Sequence, residues 1–512
     1  MTFSPLDVAI VVALLIIVIV MGTRGYGVSR SMVGYFLAGR GLGAWVLAFS
    51  FMATYFSAAS FLGGGGATYL FNLGFGAWLT AWHVIGVVLA WALVAERLFK
   101  YAEKTNIISI PDFIEHRYQS KTAKIIAAIV IMFLFTLYLT SVYKGGAIIM
   151  ATLLGTSYAV GLLLLAVPVL IYIGLGGLRA AALNNLILGI LMLVAAILTF
   201  GYVMGAVGGW DAGIAALEQL TIKAQFGPGK PVVEFPGALW LKMDGFGPPP
   251  AMKVGMVPAL IMSITFSISI AQIALPNLLM QFYAAKDLRV INYGRIIGPL
   301  AVGIYAMLMF SLGAFCHLIL DKQLTPLEVA KLLKDTDWVI PKTVMMLAPA
   351  GVRGLILAAV VAASMSTLAV TFIVLSAALV RDVIQTAKPD ISEAKLVTLA
   401  RVAPIIFAII ALLLSLYPTG IIVEIVGAAF GTIFVCFVGP VTIGLYWKGA
   451  TKAGAIASMI SGLIVGLLWY IFLYRTTWIY PVIPALVVAV PLFFIVSAIT
   501  KKPPKEILDL LS

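Results

Sequence analysis

Three apolar stretches of this chain carry polar residues at helical spacing, and each could do ion or solute chemistry. In AASMSTLAV (362–370), Ala363, Ser366 and Thr367 fall at i, i+3 and i+4, so a carbonyl and two hydroxyls share one helix face. Ser and Thr in membrane helices commonly bond back to the i−4 carbonyl. The other reading is part of an all-oxygen cage, because hard cations take oxygen ligands. A cage without a carboxylate suits a monovalent ion better than Ca²⁺ or Mg²⁺. In ATYFSAASFLGGGGATY (53–69), Ala53, Phe56, Ser57 and Ser60 share a face, and four consecutive glycines, Gly63 to Gly66, follow. Each glycine costs a helix interior about 1 kcal/mol relative to Ala. Either they let neighbouring helices approach closely, or the helix breaks here and turns carbonyls toward a water-filled cavity. In SITFSISIAQIALPNLLMQF (263–282), Thr265, Ser269 and Gln272 form a polar stripe that Pro276 then interrupts. The stripe reads as helix–helix hydrogen bonding or as a cavity lining.

Two ionisable residues join them. Lys144 follows some twenty mainly apolar residues after Lys124, about 30 Å along a helix at 1.5 Å per residue. It either snorkels to the outer interface or presents a cation to a solute carboxylate. His83, in WLTAWHV, either lines the same cavity or bonds to a neighbouring helix.

The elements that must position these residues follow from composition. The chain is 62% hydrophobic and 10% charged, with a mean hydropathy of +1.12. Soluble domains carry roughly 45–50% apolar and about 25% charged residues. A water-soluble enzyme is excluded, and an all-α polytopic membrane protein is expected. Thirteen transmembrane helices are predicted, at roughly 5–23, 42–70, 74–99, 124–153, 157–175, 180–208, 254–283, 291–320, 351–381, 396–417, 420–446, 451–474 and 478–499. The longest connections, 209–253 (ending in FGPPP) and 321–350, are each expected to carry a short surface helix. The whole chain, 1–512, reads as one membrane domain with no soluble addition.

Orientation comes from basic residues. Placed on alternate sides of thirteen spans, 22 of the 33 Lys and Arg residues fall on one side, which is expected to be cytoplasmic. That puts the N-terminus outside, the C-terminus inside and the protein in the cell membrane. The same rule explains the net charge of +13 without a nucleic-acid partner. Cys316 and Cys436 form no CxxC or Cys/His cluster, and the three histidines are too scattered for a metal-binding motif. The N-terminal apolar stretch has Asp7 and no early Lys or Arg, so it is expected to be a retained helix rather than a cleaved signal peptide.

Several longer motifs carry a family resemblance. They are GYFLAGRGLGAWVLAFSFMATYFSAASFLGG (34–64), GGLRAAALNNLILGILML (176–193), ALPNLLMQFYAAKD (274–287), VIPKTVMMLAPAGVRGLILAAVVAASMSTLA (339–369) and GLYWKGATKAGA (444–455). Together they resemble the sodium:solute symporter family, and within it the pantothenate and monocarboxylate branch. The resemblance implies a LeuT-type 5+5 inverted repeat, with repeats over 42–208 and 254–446 and extra helices at 5–23 and 451–499. It implies a Na⁺ site made by the carbonyls of Ala53, Phe56 and Ala363 and the hydroxyls of Ser366 and Thr367. Ser57, Ser60, Lys144, Thr265 and Gln272 would then contact a small organic solute beside it. Asn184-Asn185 stands where the family commonly has Thr-Asp or Asn-Asp, and Ala369 and Val370 stand where some members have hydroxyls. These departures imply one Na⁺ per solute. Asn277 and Gln281 replace a frequent His and Arg, which loosens any claim on one particular solute.

The expected function is Na⁺-coupled uptake of a monocarboxylate or pantothenate-like acid, with a proline-type amino acid as the alternative. A proton-coupled symporter using His83, a channel and a membrane sensor are the rivals. No nucleophile–base constellation suggests an enzyme, and no obligate protein partner is expected.

Overall fold

The computed structural model describes residues 4–241, 257–417 and 422–511. The FGPPP stretch and the expected span starts at 254 and 420 lie outside these described residues. Among the described residues, ten helices are long and apolar enough to cross a bilayer, or eleven with a bent pair counted as one span. In chain order they are α1 (Pro5–Thr23), the bent pair α2 (Ala44–Tyr55) and α3 (Ala59–Leu70), α4 (Leu73–Thr105), α5 (Lys121–Leu154) and α6 (Tyr158–Val207). Then come α7 (Ala259–Phe282), α8 (Leu288–Leu320), α9 (Val352–Ala387), α10 (Glu393–Ser415), α11 (Ile422–Leu445) and α12 (Lys452–Phe472). A shorter apolar helix, α13 (Val482–Ala498), closes the bundle.

Chain length decides how α6 must be read. Its 50 residues would extend about 75 Å at 1.5 Å per residue, far beyond a hydrocarbon core of about 30 Å. It hinges at Gly177, whose φ of 55° and ψ of −147° interrupt the helix. A side chain there would also run into the backbone of Tyr35.

Two helices break where the polar residues lie. α2 and α3 meet at 59°, with Phe56 in an extended conformation (φ −86°, ψ 93°). The break falls at 56–58, before the glycine run, which is itself helical. The glycines serve close approach instead: a Cβ on Gly64 would strike the Phe310 ring, and one on Gly66 the Thr336 carbonyl. Of the two readings of the glycine run, close approach holds at the glycines themselves, and the break lies five to seven residues before Gly63. In α7, a helix over Val257–Ile268 gives way to a 3₁₀ turn at Ile270–Ile273 and resumes at Pro276–Phe282. Proline explains this one, since it lacks an N–H and forces Leu275 into extended geometry (φ −79°, ψ 114°).

α9 runs through the middle, fully buried over its most apolar stretch, and packs against α1, α2, α5, α6 and α10. Its N-terminal end is capped from α1. Asp7 accepts hydrogen bonds from the backbone of Gly351 (2.8 Å) and Gly354 (2.9 Å) and pairs with Arg353 (2.6 Å). The connections hold the expected short helices, Trp210–Gln219 and Pro326–Lys334. The first also holds an unexpected antiparallel hairpin, Thr221–Gln225 against Val232–Pro236. Five-residue strands give too short an alternation to stand out in the sequence.

Candidate functional site

A helix that stops inside a membrane leaves its last carbonyls without intrahelical partners, and at the end of α2 these are answered from α9. Ser366 Oγ lies 2.6 Å from the Ala53 carbonyl and 2.9 Å from that of Ala363. Thr367 Oγ1 lies 3.0 Å from the Thr54 carbonyl and 3.4 Å from that of Ala53. Ala53, Ala363, Ser366 and Thr367, four of the five residues expected in the cation set, are thus in one wholly buried cluster. The Thr54 carbonyl, not expected, joins them, whereas neither hydroxyl bonds the Phe56 carbonyl. The cluster is neutral and all oxygen, the chemistry a monovalent cation requires. Asn185 Nδ2 braces it, donating to Thr54 Oγ1 (3.2 Å) and the Ser366 carbonyl (3.4 Å).

Within a turn of the cage lies a cavity of about 40 Å³. At roughly 10–15 Å³ per water, that is room for a few waters, so a solute of several heavy atoms requires it to widen. Its wall is aromatic at Tyr55, Phe56, Phe310 and Phe430 and polar at Ser57, Ser60 and His83. Ser57 Oγ accepts from the Ala59 amide (3.1 Å), and Ser60 Oγ donates to the Ser57 carbonyl (2.7 Å) beside the Tyr305 hydroxyl (3.1 Å). His83 satisfies both of its sequence readings: it lines the cavity, and its Nδ1 lies 2.7 Å from the Leu79 carbonyl and 3.0 Å from Ser269 Oγ on α7.

Three residues expected at the solute do not line this cavity. Thr265 Oγ1 accepts from Trp78 Nε1 and donates to the Ile261 carbonyl, both at 2.8 Å. Gln272 Nε2 donates to the carbonyls of His83 (3.1 Å) and Ser269 (3.0 Å). Both act as helix–helix ties, as an amide or hydroxyl in hydrocarbon must find a partner. Lys144 is buried rather than snorkelling, and pairs with Asp337 at 2.7 Å. Asp337 also accepts from the amide of Ile422 (3.2 Å), one residue before the cavity-lining Val423. Burial pushes the Asp337 carboxyl up to about 6, against the pull of Lys144. At the other end of α5, Lys124 pairs with Asp112 (2.6 Å) and Glu115 (2.8 Å), and Arg381 at the end of α9 also reaches Asp112 (2.9 Å).

A buried all-oxygen cluster and a small cavity that share a broken helix are the kind of parts from which transporters build ion and solute sites. The sodium:solute symporter family model matches residues 35–462. The chain belongs to that family. The symporter is 27% identical to the sodium/pantothenate symporter of Escherichia coli (strain K12), over 94% of each chain. It is 28% identical to the sodium/proline symporter of Staphylococcus aureus (strain JH9), over 95% of this chain and 91% of that one. Its fold is that of a Na⁺-coupled sialic acid symporter in a substrate-bound, outward-open state, with a TM-score of 0.76 at 17% identity over 98% of this chain and 99% of that one. Na⁺ is the coupling ion, and the protein is a multi-pass membrane transporter, as the family and these relatives are.

Sequence reasoning missed the symporter's aromatic wall. Phe310 and Phe430 are single rings in apolar helices, among 28 phenylalanines, with no spacing that marks them. Asp337 was visible only as one charge in LTPLEVAKLLKDTDW (324–338), and nothing local ties it to Lys144.

Proposed function

We propose that the protein imports a small organic acid, a monocarboxylate or a pantothenate-like compound, with one inward-moving Na⁺ per solute. The observation that carries this reading is the shared break. The carbonyls of Ala53 and Thr54 belong to the cage, while Ser57 and Ser60, on the next turn, belong to the cavity wall. An ion that fixes the end of α2 therefore orders the start of α3. The ion would be held by Ala53, Ala363, Ser366 and Thr367, with Phe56 drawn in as the break closes. No charged side chain lines the cavity among the described residues. A carboxylate would be met by Ser57, Ser60 and the positive end of the α3 dipole. The two sequence relatives, at 27% and 28% identity, favour neither an acid nor proline; the neutral lining admits proline as the second candidate.

The topology we propose has thirteen spans, the N-terminus outside and the C-terminus cytoplasmic. Two five-helix halves over 42–208 and 254–446 each begin with a broken helix. The arms of α6 on either side of Gly177 and the short α13 are counted as separate crossings. The test is uptake into proteoliposomes of labelled pyruvate, lactate, acetate, pantothenate, proline and glucose under an imposed Na⁺ or H⁺ gradient. Accumulation of one carboxylate under the Na⁺ gradient alone is expected. Accumulation of proline alone would change the solute, and accumulation of glucose alone would overturn the acid class.

A further inference from the structure

Tyr138, on α5, is wholly buried, and its hydroxyl makes no hydrogen bond. That hydroxyl stands beside those of Ser57, on the cavity wall, and Thr367, in the cage, without a bond to either. Its ring lies 4.5 Å from that of Phe430, another cavity residue. An unpartnered buried hydroxyl costs free energy, and this one lies between the two sites whose occupancy must be linked.

The hydrogen bonds of the cage supply a state in which it is bonded. Thr367 has one hydroxyl hydrogen, which it gives to the Thr54 or Ala53 carbonyl. A cation among these oxygens needs their lone pairs, so the hydroxyl must turn its hydrogen away from the ion. The Tyr138 oxygen is an acceptor beside it. The Tyr138 hydrogen then has Ser57 Oγ to go to. Ser57 Oγ already accepts from the Ala59 amide, so its own hydrogen is left to point into the cavity.

We infer that Tyr138 is the positioning residue that couples the two sites: with Na⁺ bound, Thr367 donates to Tyr138, Tyr138 to Ser57, and Ser57 to an acceptor oxygen of the solute. This rests on the cage being the Na⁺ site. It sharpens the solute class to compounds that present a hydrogen-bond acceptor, such as a carboxylate oxygen, at the Ser57 end of the cavity. It also gives the coupling a direction-free form, since Na⁺ and solute must raise each other's affinity by the same factor.

The test uses the full chain. Tyr138→Phe removes the hydroxyl and keeps the ring, so its thermal midpoint in N-methylglucamine chloride should equal or exceed that of the unaltered protein. When NaCl is titrated in, the concentration giving half the stabilisation should rise about fivefold to tenfold, and the factor by which Na⁺ lowers the half-saturating concentration of the accumulated acid should fall similarly. Tyr143→Phe, which removes another unbonded buried hydroxyl on the same helix, should change neither. Ser57→Ala, which removes the last donor of the relay and leaves the cage oxygens in place, should lose the same coupling factor, a comparison that stands even where Tyr138→Phe does not fold. A Tyr138→Phe protein with unaltered Na⁺ response and coupling, while Ser366→Ala loses its Na⁺ response, overturns the relay and spares the cage. Ser366→Ala and Thr367→Ala proteins that both keep their Na⁺ response overturn the cage assignment itself.

Discussion

The cage and the cavity lie within one turn of each other on the α2/α3 break, and they are built from opposite materials. The cage uses backbone carbonyls and two short side-chain hydroxyls, fixed by hydrogen bonds between α2 and α9 and by one within α9. The cavity is walled mainly by rings and aliphatic chains from α2, α3, α4, α7, α8 and α11, with Ser57, Ser60, His83 and the Tyr55 hydroxyl as its polar groups. A site of the first kind has hydroxyls to turn when an ion enters, but no long side chain to order. A site of the second kind can be reshaped by replacing one ring, without touching the cage. In the proposed assignment the ion would be tied to the backbone path of the fold, whereas the solute would be met by side chains.

The largest test of this contrast lies in the cage. Ser366→Ala and Thr367→Ala each remove an oxygen from a charged ligand, worth about 1.5–3 kcal/mol. At about 1.4 kcal/mol per decade, the Na⁺ concentration for half-maximal uptake should rise roughly 10–100-fold, while the half-saturating solute concentration at saturating Na⁺ changes much less. Initial uptake rates across a Na⁺ series measure both.

A smaller effect is expected at the cavity. Ser57→Ala should raise the half-saturating solute concentration about 3–10-fold, less than a full hydrogen bond to a charge is worth because Ser60 and the α3 dipole remain to meet the carboxylate. Thr265→Val and Gln272→Leu, at helix ties outside the wall, should stay within about twofold while lowering thermal stability. Equal losses of solute affinity in Ser57→Ala and Thr265→Val would mean that the solute path follows the α7 stripe and that the 40 Å³ recess is not its centre.

The smallest effect concerns the Lys144–Asp337 pair at the Ile422 edge of the cavity, which has no counterpart at the neutral cage. The Asp337 carboxyl is raised from an ordinary value of 3.8 to about 6, so the folded protein holds that proton more tightly than the unfolded chain. The stability it contributes is present below about pH 4 and lost as pH rises through about 6. Relative to Asp337→Asn, the unaltered protein should lose on the order of 2 °C in thermal midpoint between pH 4.5 and 7.5. A constant difference across that range would show that Lys144 fully offsets the burial.

Much of this was legible in the chain. The apolar spans are periodic over long windows, and hydropathy needs no partner to be read. Ser366 and Thr367 stood out because polar atoms in hydrocarbon demand an explanation, and Pro276 marks a break by local chemistry. Less legible were the break at Phe56–Ala58 and the pairing of Lys144. The break has no proline or glycine within it; it is sustained by hydroxyls more than three hundred positions away. Lys144 finds Asp337 across a gap of 193 positions, so its burial could not be told from snorkelling by counting along one helix.

The sequence alone therefore determined that the protein lies in a membrane, the family to which it belongs and the all-oxygen character of the proposed ion site. These depend on composition, on spacing within one helix and on motifs spread along the chain. Only the tertiary structure decided which oxygens meet, that the glycines serve close packing beside the break, that Thr265 and Gln272 hold helices together, and that rings from several helices wall the cavity. The physical reason is that a hydrogen bond or an aromatic contact between helices is set by three-dimensional approach, which leaves no periodicity in either segment taken separately.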